Sequence, residues 1–142
     1  PCLRRVKKLE DAGVISRYVA ELDPASLGLK VSAYVFVRLA RNSTVNAERF
    51  EGAIRTLQQV EECSVLSGEY DYLVKVVAKD LEDYERFIKQ SLAAIEEVDT
   101  INTTIILKQV VSRQSLPVWA AAFALYAASG EGSIFVKCHL SD

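Results

Sequence analysis

The sequence predicts an α+β domain of element order β-α-β-β-α-β, preceded by a short basic helix. Three observations predict it. Segments 44–57 and 80–95 carry apolar residues at helical spacing. Segments 31–39, 60–68, 70–79 and 98–111 are rich in β-branched and aromatic residues, as strands are. Turn residues punctuate the chain between them, and each helical segment falls between two strand segments.

Residues 2–12, CLRRVKKLEDA, place Leu3, Val6 and Leu9 on one side of a helix and Arg4, Arg5, Lys7 and Lys8 on the rest. Gly13 stands where a residue of positive φ ends a helix at low cost. Gly13 to Leu22 has strand character, and Asp23 to Gly28 is turn and linker chemistry. In VSAYVFVRL, Val31, Ala33, Val35, Val37 and Leu39 alternate with Tyr34 and Phe36. Ser43 or Thr44 can cap the next helix, whose Ala47, Phe50, Ile54 and Leu57 share a face. VEECSVLSG and YDYLVKVVAK form a strand pair with a tight turn between them. Asp80 can cap a helix with a continuous stripe from Tyr84 through Phe87, Ile88, Ser91 and Leu92 to Ile95. A long last strand spans 98–111.

Two interleaved β-α-β units with right-handed crossovers give a four-stranded antiparallel sheet with both helices on one face. This is the ferredoxin-like arrangement, and it leaves the other sheet face uncovered. Tyr34 and Phe36 on the first strand, and Ile106 and Val110 against Ile101, Ile105 and Leu107 on the last, put apolar side chains on both faces. Two apolar faces need two covers. The second cover is a sheet from another copy of the chain, so at least a homodimer is expected.

Composition narrows the function classes. The 142 residues carry a formal net charge of -2, so no global field draws the chain to nucleic acid or an anionic membrane. The cysteines, Cys2, Cys63 and Cys138, are odd in number and lack a CxxC pair, which fits a reducing cytosol rather than a disulfide framework or zinc knuckle. Cys63, on an alternating strand, reads as a small buried hydrophobe. The apolar run Val118 to Ala128 is shorter than the ~20 residues a bilayer-spanning helix needs. No phosphate-binding glycine loop, metal-spaced ligand cluster or Ser/His/Asp arrangement is present, so no catalytic residue, metal or cofactor is expected. His139, the one histidine, lies in the tail without a nucleophile partner, and Tyr18 and Tyr84 read as packing residues. The chain lacks methionine and opens with Pro1 at the start of a helix, which reads as a fragment missing an N-terminal part, or as a processed chain.

Two stretches could carry chemistry. Four positive charges within Arg4 to Lys8 can contact phosphates, each contact releasing a counterion. They can equally form a solvated helix face balanced by Glu10 and Asp11. The turn SGEYDY interleaves Glu69 and Asp71 with Tyr70 and Tyr72 after Gly68. It is either a polar turn with tyrosines shielding the sheet edge or a place where something binds.

PCLRRVKKLEDAGVI resembles the end of the helix-turn-helix in the Lrp/AsnC (leucine-responsive regulatory protein, feast/famine) family of transcription regulators. The resemblance continues in order through Tyr18, Leu22–Asp23–Pro24, Leu27–Gly28, Glu62–Cys63, Ser67–Gly68, Tyr70 to Leu73, Asp80 and Tyr84 to Leu116–Pro117. It implies a remnant of the DNA-binding domain at 1–15, a linker at 16–30, and an effector-binding and oligomerisation domain of dimeric α/β-barrel type at 31–116. The tail 117–142 departs from the family pattern and reads as an extra helix or a non-native extension.

The resemblance assigns Arg4, Arg5, Lys7 and Lys8 to the helix that enters the DNA major groove, where they contact bases or phosphates. Leu3, Val6 and Leu9 would pack inside the small DNA-binding domain, whose first two helices the sequence lacks. Binding of DNA by this chain alone is therefore expected to be weak. The resemblance also puts a free amino acid at the hairpin, between dimers. Asp71 or Glu69 would take its ammonium, backbone N–H groups at Gly68 its carboxylate, and Tyr70 and Tyr72 would wall its side chain. Thr103, Thr104 and Ile105 of a neighbouring subunit would form a second wall. The implied protein is a cytoplasmic regulator, not an enzyme, that shifts among dimer, octamer and higher states. A stand-alone amino-acid-binding domain without DNA binding, and a small enzyme on the same scaffold, are the competing functions. The retained basic helix favours the regulator.

Overall fold

The computed structural model describes residues 2–112. The elements are α1 (Cys2–Asp11), β1 (Val31–Leu39), α2 (Thr44–Ile54), β2 (Val60–Val65), β3 (Tyr72–Ala78), α3 (Leu81–Phe87) and β4 (Val98–Ile105). The sheet order is β2-β3-β1-β4 with every neighbouring pair antiparallel. This is the expected ferredoxin-like topology. The expected tail, and His139 with it, lies outside the described residues.

The alternation of β1 places Ala33, Val35, Val37 and Leu39 in the core, and β3 adds Tyr72, Val74, Val76 and Ala78. Phe50 and Ile54 of α2, Tyr84 and Phe87 of α3, and Leu92 beyond it complete the same cluster. Both helices therefore cover one face of the sheet. Ser43 caps α2 by accepting from Asn46 N–H, and Asp80 caps α3 by accepting from Asp83 N–H.

The helical stripe expected through Ile95 does not run as one α-helix. After Phe87 the chain takes a π turn, Ile88–Leu92, in which Ala93 N–H reaches Ile88 O at 2.8 Å. The wider turn shifts the facing residue by one and leaves Leu92 fully buried.

The last strand ends at Ile105, not at 111. Ile106 N–H still reaches Ser32 O, but β1 begins at Val31 and offers no further partner. Residues 13–22 form no strand. Val14, Tyr18, Val19 and Leu22 are exposed there, because strand propensity without a pairing edge leaves the backbone unpaired. Tyr18 packs in no core; its hydroxyl donates to Glu10 Oε1 at 2.6 Å and ties this segment to α1.

Two positive-φ glycines shape the first thirty residues. At Gly13, Val14 N–H bonds to Leu9 O and Gly13 N–H to Glu10 O, the Schellman pattern that closes α1 as expected. Gly28 closes one helical turn in the same way, with Asp23 accepting from Ser26 at its start.

The sheet face that no described element covers carries Tyr34 and Phe36 of β1 opposite Lys75 and Leu73 of β3. On the other side of β1 these two residues face Thr104 and Asn102 of β4. The aromatic and aliphatic stripe thus runs over β1 and β3, while β4 turns a polar row to this face. Ile101 and Ile105 of β4 lie instead with the helix-covered side, opposite Val37 and Ala33.

Candidate functional site

The hairpin tip is built by a ladder that outlasts its strands. Regular pairing of β1 with β3 ends at Val37↔Tyr72. One residue further, Asp71 N–H donates to Val37 O at 2.9 Å, and Leu39 N–H donates to Asp71 Oδ2 at 2.8 Å. The carboxylate stands in for the strand carbonyl that would come next. Across the turn, Leu66 N–H donates to Asp71 O at 2.8 Å. Asp71 thus braces the tip through three contacts. Among the described residues, only one of its carboxylate oxygens has a hydrogen-bond donor.

A second brace lies on the open sheet face. Arg38 Nη2 donates to Glu69 Oε1 at 2.9 Å, and Arg38 Nε donates to Glu69 O at 3.2 Å. The guanidinium sits 5.1 Å from the centre of the Tyr70 ring, within cation–π range. Tyr70 packs on Phe36 with ring centres 5.4 Å apart, and its hydroxyl accepts from Asn102 Nδ2 at 3.3 Å. Glu69 therefore already has a cationic partner and is not an open carboxylate awaiting an ammonium.

The two tyrosines part company. Tyr70 lies half-buried on the open face, whereas Tyr72 is only 3% exposed and sits among the core residues. Its ring packs 4.6 Å from Phe50, and its hydroxyl donates to Glu51 Oε1 at 2.8 Å. The expectation that both rings wall one guest is not met, because the β3 register turns Tyr72 toward the helices.

Burial, reinforced by the hydrogen bond to Glu51, pushes the Tyr72 phenol from 10.0 up to about 12. An unfolded tyrosine ionises near pH 10, so this contribution is whole below that pH and is lost as pH rises through about 12. The loss is about 2–3 kcal/mol. Urea unfolding at about pH 9 and about pH 12 is expected to show it in the wild type, with a smaller alkaline loss in Tyr72→Phe.

Gly68 also departs from expectation. It has no positive φ, and a Cβ built there would meet nothing within 4 Å. The turn does not require glycine, and the alternating backbone that aims successive N–H groups at one anion is not formed. Thr103, Thr104 and Ile105 pair with Val35, Tyr34 and Ala33. Val35, Tyr34 and Ala33 lie three to five positions from Arg38, roughly 10–16 Å along a strand. Within one protomer they are remote from the tip, and Asn102 is the β4 residue that reaches it. Arg38 and Asn102 escaped the sequence reading. The one available signal was a lone charge at Arg38 on a β1 face otherwise made of Ser32, Tyr34 and Phe36.

In α1, Arg4, Arg5, Lys7 and Lys8 are all exposed, and among the described residues none is in an ion pair. Leu3 is exposed, and α1 buries no residue. Cys63 is exposed too, contrary to its expected burial, because edge strand β2 is left uncovered beyond the end of α2. It lines a groove of about 370 Å³ with Glu51, Arg55 and Tyr72. Desolvation by the groove walls, with the Glu51 carboxylate beside it, raises the Cys63 thiol pKa, which works against nucleophilic chemistry there. Among the described residues, no cluster of His, Cys, Asp and Glu is placed to hold a metal ion. No helix among them is long and apolar enough to cross a membrane.

A family profile described as "Lrp/AsnC ligand binding domain" matches residues 32–116. The leucine-responsive regulatory protein of Rhizobium meliloti (strain 1021) is 40% identical over 110 residues, spanning 78% of this chain and 70% of that protein. The transcriptional regulator AzlB of Bacillus subtilis (strain 168) is 33% identical over 117 residues, 82% of this chain and 74% of that protein. Among solved structures, a transcriptional regulator from Neisseria meningitidis in complex with L-Met superposes with a TM-score of 0.80 at 33% identity. That match covers 85% of this chain and 78% of the other. An AsnC family regulator from Agrobacterium tumefaciens superposes at 0.77 and 35% identity, over 84% and 78% of the two chains.

Proposed function

Since the chain belongs to the Lrp/AsnC family of transcriptional regulators, we propose that its hairpin at Gly68 to Asp71 binds a free amino acid where copies of the chain meet. Gly68 carries this reading. Neither backbone conformation nor a neighbour among the described residues calls for glycine, so the missing side chain makes room for something outside them. The second oxygen of Asp71 is the acceptor for the ammonium. Tyr70, but not Tyr72, borders the guest, and Thr103, Thr104 and Ile105 reach it only from a neighbouring subunit. The L-Met complex of the Neisseria relative supports the ligand class.

The half-buried stripe of Tyr34, Phe36 and Leu73 supports a homodimer through the open sheet face, with higher states up to an octamer built from it. The exposed cations Arg4, Arg5, Lys7 and Lys8 support DNA contact by α1. They favour a regulator over a stand-alone ligand-binding domain, which has no use for them.

A thermal-shift screen of the free amino acids, with light scattering on each hit, tests this. At least one amino acid is expected to raise the melting temperature and to change the scattering mass. A flat response to every amino acid overturns the effector reading.

A further inference from the structure

Resting on the amino-acid reading above, we propose that Arg38 receives the carboxylate of the bound amino acid, and that Glu69 is a built-in competitor which occupies Arg38 until the ligand displaces it. An α-amino acid needs a cationic or N–H partner for its carboxylate. In the turn, the Leu66 and Asp71 N–H groups are used within the hairpin, and Gly68 lacks the left-handed conformation that would gather the remaining N–H groups of residues 67–70 into an anion-binding nest.

Arg38 is the cation at this place. It immediately precedes Leu39, whose N–H holds Asp71, so guanidinium and carboxylate stand at the same end of β1 and β3. Its plane is pre-set by the Tyr70 ring, and that ring is pinned through its hydroxyl by Asn102. A planar guanidinium fixed in this way loses little freedom on forming a forked bond to a carboxylate. It spends only Nε and one Nη2 contact on Glu69, and its remaining N–H groups meet no acceptor among the described residues. The side chain is 37% exposed.

The Glu69 carboxylate is the weak point of the present arrangement. Within one protomer its side chain is 78% exposed, and an ion pair this wet contributes little. An incoming carboxylate anchored at its other end by Asp71 can replace it. The bond from Arg38 Nε to the Glu69 carbonyl survives the exchange, so the hairpin stays braced while the side chain swings out.

Calorimetric titration of the full chain with L-methionine and with L-methioninamide, which keeps the ammonium and lacks the carboxylate, tests this. Where another amino acid gives the larger thermal shift, that amino acid and its own amide serve as the pair. The wild type is expected to bind the acid at least about 10-fold more tightly than the amide. Arg38→Ala is expected to weaken the acid about 10- to 100-fold and to bring acid and amide close together. Arg38→Lys, which keeps the charge but not the fork, is expected to fall between and serves if the alanine variant does not fold. Glu69→Gln is expected to tighten the acid about threefold and leave the amide unchanged. Wild-type discrimination retained in both Arg38 variants overturns the proposal while leaving the amino-acid site standing. A Glu69→Gln variant that binds acid and amide equally less well makes the pair a brace and also overturns it. Failure of the wild type to bind any amino acid removes the site itself.

Discussion

Replacing Phe50 with alanine is expected to lower the stability of the domain by about 3–5 kcal/mol, read as a shift in the urea midpoint at unchanged slope. Phe50 is fully buried at the junction of α2 and the sheet, with its ring against Tyr72. Removing it leaves a hole that Ile54 and Tyr72 cannot both collapse into, because the Tyr72 hydroxyl is tied to Glu51. Against a typical total of about 5–15 kcal/mol, this approaches unfolding. Phe36→Ala is the informative contrast. That ring is half-buried on the open face, so its loss within one protomer is smaller. If a second copy covers the face, its cost grows with protein concentration, whereas that of Phe50→Ala in the protomer core does not. A concentration-independent Phe36→Ala effect overturns the dimer through this face.

Asp71 carries the second large effect, and it separates two roles. Asp71→Ala leaves Leu39 N–H without its acceptor and is expected to lose about 1–3 kcal/mol of stability. It therefore cannot report on ligand binding alone. Asp71→Asn keeps an oxygen for Leu39 N–H and removes the charge. It is expected to stay within about 1 kcal/mol of the wild type in stability while binding the amino acid about 10- to 100-fold more weakly. An Asn variant with wild-type calorimetric affinity leaves Asp71 as a brace only and removes it from the ligand site.

Much of the fold was legible because its signals are local. The alternation in VSAYVFVRL is the alternation of buried and half-buried residues along β1. Ser43 and Asp80 were readable as caps, and Gly13 as a helix stop, because each acts on residues within a turn of itself. The segment 13–22 has the same kind of strand character and forms no strand. Pairing requires another backbone, and no composition rule says whether one is there. The π turn after Phe87 was hidden for a related reason. A helical stripe tolerates a slip of one residue, and the demand that Leu92 reach the core decides whether the slip occurs.

The candidate site was legible as a place and not as a mechanism. Glycine, two carboxylates and two tyrosines in five residues marked the turn between β2 and β3 as unusual. Charge pattern, helix and strand periods, turn chemistry and the family resemblance are written in neighbouring residues, so the sequence by itself determined the ferredoxin-like order, the core face of β1 and the position of the tip. What the side chains do there depends on partners about thirty residues away. Arg38 meets Glu69, Leu39 meets Asp71 and Asn102 meets Tyr70 only after the sheet has brought β1 and β4 beside the hairpin. The direction of Tyr72, the occupation of Glu69 and the bracing role of Asp71 were decided by tertiary structure alone. Register between strands is a property of the pair, and one residue of shift would exchange every one of these contacts.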